Sequence, residues 1–280
     1  MTEPLGLIAG EGVFPHLVAD GAKAAGRDVV CCGFTGMADP SLAGKVQAYR
    51  EIGFLKIAGW ARYLRKHGCR EAIMVGRVHK THVHLGLIRS IMSNLPDLAT
   101  LHLYLTKTRY DRRSDVLLQN VADLLERKGI TLIDSTTYSK DQMASAGVMG
   151  NVPPTDSQQR DADRGWQLCG MLSREDVGQA IAVKDLDILA IEAVEGTQHM
   201  IERAGQLCRG GGWTLVKRGN PSGESRWDVP TIAPATMQQL KDAGATALCV
   251  EAGQVILLER EKVLAEADRL GIAVFGMEGA

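Results

Sequence analysis

Neither sign of charge dominates this sequence: 32 lysines and arginines face 33 aspartates and glutamates, for a formal net charge of −1. That balance gives the chain no general attraction to nucleic acid, which normally calls for a clustered basic face, so no nucleic-acid partner is expected. It also lacks any apolar run of about 18 residues, the length a membrane-spanning helix needs. The opening MTEPLGLIAGEG lacks the basic, apolar, small-residue order of a secretory signal, so a cytoplasmic location is expected. The six cysteines (Cys31, Cys32, Cys69, Cys169, Cys208 and Cys249) form no CxxC pair. They read as reduced core residues rather than a disulfide framework or a structural zinc site. There is no GxxxxGK[ST] phosphate loop, no GxSxG nucleophile elbow and no evident Cys/His nucleophile.

What is present is the rhythm of an α/β protein. A chain of 280 residues is long enough for two domains, each with its own core. LGLIAG, a helix over about 14–25, DVVCCGF, a helical stretch over 57–67 and EAIMVG alternate as βαβ units of a parallel sheet do. A helical region follows across 85–128, and then the polar stretch SAGVMGNVPPTDSQQRDADRG. The same rhythm then restarts, with AIAV, LDILAIEA, WTLVK and a strand pair from ALCVEAG and QVILL. The expected architecture is two α/β domains with mainly parallel sheets: a Rossmann-like domain over 1–145, a linker over 146–165 and a second α/β domain over 166–280.

In such sheets ligands bind beyond the carboxyl ends of the strands. Gly10, Glu11 and Gly12 follow the first strand and precede a helix, a place where backbone N–H groups can cradle a phosphate. The pattern is GxGxxP, without the third glycine of the dinucleotide fingerprint, which disfavours a nicotinamide enzyme. Gly76 and Arg77 end the EAIMVG strand in the same way, with Arg77 a candidate phosphate partner. His79, His82 and His84 are spaced so that they could gather a metal, though no carboxylate accompanies them. Arg112, Arg113 and Asp115 read as a solvated helix start.

The second half concentrates charge at strand ends: Gln179 before AIAV, Glu192 and Glu195 with Gly196 and Thr197 after LDILAI, Lys217 and Arg218 after WTLV, and Glu251 after ALCV. Taken singly, each is an ordinary capping or solvated residue. Together on one sheet edge they have the composition for holding a divalent cation beside a phosphate. SRWDVPTI lies in the loop beyond, with Asp228 a candidate cation ligand or water-orienting base and Arg226 a candidate phosphate clamp.

The ordered series LGLIAGEGVFP, AIMVGRV, DVGQAIAV, LAIEAVEGT, LVKRGNP, RWDVPTI and VEAGQVILLER resembles the UDP-2,3-diacylglucosamine pyrophosphatases of lipid A biosynthesis, the LpxI-type family, over essentially the whole chain. The resemblance implies two domains joined by a linker and hydrolysis of UDP-2,3-diacylglucosamine to UMP and 2,3-diacylglucosamine 1-phosphate. It also implies magnesium or another divalent cation, with water attacking the sugar-side phosphorus. The essential acid falls on Asp228, with Arg226 beside it and Glu195 and Glu251 as further candidate metal ligands. Gly10, Gly12, Gly76, Arg77, Gln179, Gly196, Thr197, Lys217 and Arg226 are then candidate substrate-binding residues. Glu11 stands where the glycine-rich start usually has another glycine. Asn220 and Gly223 replace a lysine and a glutamine, and DRRSD replaces a G-D-D segment. The expected partners are a lipid-linked UDP-sugar and the inner-membrane surface, met peripherally, with the 85–104 region a candidate acyl-chain lining; a homodimer stays open. The alternative is a non-catalytic nucleotide- or lipid-binding protein on the same scaffold.

Overall fold

The computed structural model describes residues 2–78, 95–108, 114–219, 226–227 and 229–279. The chain forms two compact units, Met1–Lys140 with Ser225–Trp227, and Asp141–Glu224 with Asp228–Ala280.

In the first unit, β1 (Leu5–Ala9), β2 (Val29–Phe34), β3 (Ala48–Ile52), β4 (Glu71–Val75) and β5 (Thr131–Leu132) form a parallel sheet in the order β3-β2-β1-β4-β5. LGLIA and VVCCGF are buried throughout, as strands covered on both faces must be. Its α-helices among the described residues are α1 (Phe14–Ala24), α2 (Ile57–Lys66), α3 (Leu98–Leu103) and α4 (Ser114–Arg127). Ile57, Trp60, Ala61 and Leu64 form the buried stripe of α2 at helical spacing. They pack with Ile8, Val30, Phe34 and Leu125. The Trp227 indole joins the same cluster, which accounts for Ser225–Trp227 grouping with this unit rather than with its neighbours in sequence.

The second unit carries β6 (Gly147–Val148), β7 (Ala180–Lys184), β8 (Asp187–Ile191), β9 (Trp213–Lys217), β11 (Ala245–Glu251) and β13 (Ala273–Met277) in the order β6-β13-β11-β9-β7-β8. Strand alternation divides its residues between two cores. Trp213, Leu215, Leu248 and Val250 face one side, under α6 (Gly196–Leu207), α7 (Pro234–Asp242) and α8 (Arg260–Leu270). Val216, Ala247 and Cys249 face the other, under α5 (Asp156–Arg174).

Three expectations are corrected. The second sheet is mixed rather than mainly parallel: β9, β11 and β13 run parallel, while β7 is antiparallel to both β8 and β9, and β6 is antiparallel to β13. The cause is the two-residue turn at Asp185 and Leu186, both with positive φ (50° and 70°), which returns β8 alongside β7. The Asp161 carboxylate accepts from both turn amides, at 3.2 Å and 2.7 Å. Second, the latter half of the stretch read as a linker, 156–165, is helix: α5 starts at Asp156 behind a Thr155/Gln158 capping box, and Ala162, Trp166 and Cys169 give it one buried stripe. Third, β12 (Ile256–Leu257) pairs with β10 (Thr231–Ile232) in a separate two-stranded sheet and leaves β11 alone.

Candidate functional site

The first sheet has its topological switch between β1 and β4. From β1 the chain builds outward to β2 and β3, and β4 then returns to the other side of β1. The residues after these two strands are Gly10–Gly12 and Gly76–Arg77, and the structure brings them together. Glu11 N–H donates to Arg77 O at 3.0 Å, and Arg77 N–H donates back to Glu11 O at 2.9 Å. Gly10 N–H donates to Val75 O at 2.8 Å. A Cβ on Gly76 would lie 2.7 Å from the Gly10 carbonyl carbon, and one on Gly10 would lie 2.8 Å from Arg77 O. Backbone contact fixes glycine at both positions, and a ligand role rests on their place at the switch. Gly12, with φ 105°, leads into α1, whose first turn has no side-chain cap and no acid.

In the second unit, the strand directions place the carboxyl ends of β8, β9, β11 and β13 on one edge, together with the start of β7. Gln179, Glu192, Lys217, Arg218 and Glu251 therefore share that edge, as the sequence pattern suggests. Two separate networks divide them.

The first network runs through Thr197. Its hydroxyl donates to Glu192 Oε1 at 2.7 Å and accepts from Lys217 Nζ at 3.0 Å. Lys217 also reaches Thr231 O at 3.4 Å. Lys217 is 6% and Glu192 9% exposed, so a cation and a carboxylate are buried with one hydroxyl between them. Glu192 Oε2 is buried and, among the described residues, accepts no hydrogen bond. Gly196, at φ 81°, opens α6 and sets Thr197 in its first turn.

The second network is built on Arg218. Its Nη2 and Nε donate to Glu251 Oε1 and Oε2 at 2.9 Å and 3.2 Å, Gly219 N–H donates to Oε2 at 2.9 Å, and Nη1 donates to Trp166 O at 3.1 Å. The guanidinium carbon lies 4.2 Å from the Trp166 ring centroid, and Gly170 leaves room beneath it: a Cβ there would be 2.4 Å from Nη1. Gln179 joins through its backbone, its carbonyl accepting from Arg218 N–H at 3.0 Å.

Both candidate metal ligands among the described residues thus have other partners. Glu251 is held by Arg218. Glu195, at the start of α6, accepts from Arg203 Nη2 at 2.6 Å. A hydrogen bond from its own backbone, then Arg203, holds its carboxyl below the usual range. Among the described residues no three of His, Cys, Asp or Glu converge as a metal site would require. Arg226 belongs to the first unit, where it donates to Gln119 Oε1 at 3.1 Å and lies 4.3 Å from the Trp227 ring centroid. Asp228, Asn220, Gly223, the three histidines at 79, 82 and 84, Arg112 and Arg113, and the Asp115 side chain lie outside the described residues.

In the sequence Glu192 and Arg218 stand out only as two of several strand-end charges. Arg218 carries one further signal, since it follows the fully buried β9 and adjoins Lys217.

Two family models divide the chain at the same place as its fold. The LpxI N-terminal domain matches residues 4–142 and the LpxI C-terminal domain matches residues 145–275. The chain is also 31% identical, over 281 aligned residues covering 98% of it and 97% of the relative, to the UDP-2,3-diacylglucosamine pyrophosphatase LpxI of Caulobacter vibrioides.

Proposed function

The chain belongs to the LpxI family, and from that membership we infer that it hydrolyses the diphosphate of UDP-2,3-diacylglucosamine, releasing UMP and 2,3-diacylglucosamine 1-phosphate. The observation that carries this reading is a relative of that name, aligned across both domains and nearly the full length of both chains.

The geometry supports the reading in a definite way. Diphosphate hydrolysis needs charge neutralisation and an in-line water, and no covalent nucleophile. Lys217 offers a buried cation whose ammonium is oriented by Thr197 and Thr231. In a water-poor environment such a charge interacts more strongly with phosphate oxygens than an exposed lysine does. We assign Lys217 and Arg226 to the diphosphate, and Asp228 to orienting the attacking water. Gly10, Gly12, Gly76 and Arg77 at the switch of the first unit are a second place for phosphate contacts.

A divalent cation belongs to the same proposal, with Asp228 its ligand. Arg218 takes both carboxylate oxygens of Glu251 and Arg203 takes Oε1 of Glu195, which disfavours these two beside Asp228. The described residues alone do not assemble a cation site.

The substrate's two acyl chains require an apolar surface. Leu98 and Leu101 are exposed at helical spacing, Leu98 to 86%, within the 85–104 region expected to meet them. Among the described residues no helix is long and apolar enough to cross a membrane. We propose peripheral association with the cytoplasmic face of the inner membrane.

Hydrolysis in heavy-oxygen water tests the chemistry. Attack at the sugar-side phosphorus breaks its bond to the bridging oxygen, which leaves with UMP, so the label is expected in the sugar 1-phosphate. Label in UMP would place attack on the other phosphorus, and no hydrolysis would leave a binding protein.

A further inference from the structure

The first unit contains a cleft of about 540 Å³ lined by Arg50, Lys56, Arg62 and Lys66 with Tyr63, against a single carboxylate, Glu51. It lies between the edge strand β3 and helix α2, with Thr35 and Gly53 marking the carboxyl ends of β2 and β3. Two strands separate β3 from β4, so the cleft is distinct from the Gly10–Arg77 switch.

None of the four cations is in an ion pair among the described residues. Elsewhere in the same unit Arg27 pairs with Glu71, Lys45 with Asp20 and Arg70 with Glu3. Four like charges around one void repel one another, and a multivalent anion entering it relieves that repulsion. The start of α2 does not supply this attraction, because the Asp97 carboxylate already accepts from Ala58 and Gly59 N–H at 2.9 Å and 3.2 Å. The side chains alone make the site. Two arginines and two lysines suit phosphate oxygens, the arginines through paired N–H donors and the lysines as point charges.

We propose that this cleft binds a phosphate group, supplied either by a soluble phosphate or by the headgroup of an anionic lipid. The inference does not depend on the hydrolytic reading, since none of these residues is assigned to the reaction.

The test uses the full chain and two double variants, Arg62→Gln/Lys66→Gln and Arg50→Gln/Lys56→Gln, each checked for unchanged thermal unfolding. Inorganic phosphate is titrated calorimetrically at low salt, and co-sedimentation is measured with phosphatidylglycerol and with phosphatidylcholine vesicles. The expected result is binding of at least one phosphate probe that weakens about tenfold or more in either variant and falls with added salt, with UMP release unchanged. Loss confined to phosphate titration assigns a soluble ligand, and loss confined to phosphatidylglycerol vesicles assigns a headgroup. Binding equal in wild type and both variants, or absent for every probe, overturns the proposal.

Discussion

Arg218 and Glu251 close a bidentate pair, 2.9 Å and 3.2 Å, at the carboxyl edge of the second sheet, with Gly219 N–H adding a third donor to the carboxylate. Both are largely buried, on adjacent strands 33 residues apart. Removing one partner leaves the other charge buried and uncompensated, a cost of about 3–5 kcal/mol. Glu251→Ala is therefore expected to lower the urea midpoint by that order of stability. An unaltered unfolding curve with weakened magnesium affinity would make Glu251 a cation ligand after all.

Thr197 sits between Lys217 and Glu192, and its hydroxyl helps orient the ammonium together with Thr231 O. Thr197→Val keeps the shape and removes both hydrogen bonds, so kcat should fall roughly tenfold to a hundredfold, the range typical for a misplaced electrostatic group. Thr197→Ser should restore most of it, and Lys217→Met should lose at least as much as the valine variant. Unchanged kcat in both Thr197→Val and Lys217→Met would remove this network from the reaction.

At the first unit's switch, Gly76→Ala places a Cβ 2.7 Å from the Gly10 backbone at a φ of 101°. Gly12→Ala meets no atom of the described residues within 4 Å and faces the cost of its φ of 105°. That left-handed cost is about 1–3 kcal/mol for each, and only the alanine at 76 adds a backbone clash. Thermal unfolding should rank Gly76→Ala well below Gly12→Ala; equal midpoints would contradict the close packing of the two loops.

Burial pushes the thiols of Cys31 and Cys169 up to about 12 and that of Cys69 to about 11, and raises Cys32 and Cys249 as well. Their ordinary value is 9.0, so the folded state holds these protons more tightly than the unfolded one. The stability this supplies is complete below pH 9.0 and lost as pH rises through 11 to 12. Unfolding midpoints should accordingly fall on the alkaline side. At neutral pH only Cys208, the one cysteine that is not buried, should react with iodoacetamide in the native protein. Alkylation of Cys169 or Cys249 without unfolding would contradict the described core.

Much of the fold is legible in the chain because burial leaves a pattern. LGLIA and VVCCGF read as strands covered on both faces, and Gly10 and Gly76 mark loops where backbones touch. The mixed second sheet is not legible. The reversal at Asp185 and Leu186 carries no Asn-Gly signal and is held by Asp161, distant in sequence. Residues 156–165 read as part of a linker because α5 buries a single narrow stripe and its first half is otherwise polar. At the site, the strand-end charges and their common edge are readable from strand order, but their partners are not. Nothing local shows that Arg218 occupies Glu251, that Arg203 occupies Glu195, or that Thr197 links Lys217 to Glu192 instead.

The most direct test of the central claim is release of UMP from UDP-2,3-diacylglucosamine by the purified protein, with magnesium and with chelator, beside Asp228→Ala. Magnesium-dependent release by the wild-type chain, abolished in a folded Asp228→Ala that still binds substrate, is the predicted result. Tight binding of the intact lipid with no UMP released would contradict the hydrolase assignment, and full turnover by Asp228→Ala would remove that acid from the mechanism.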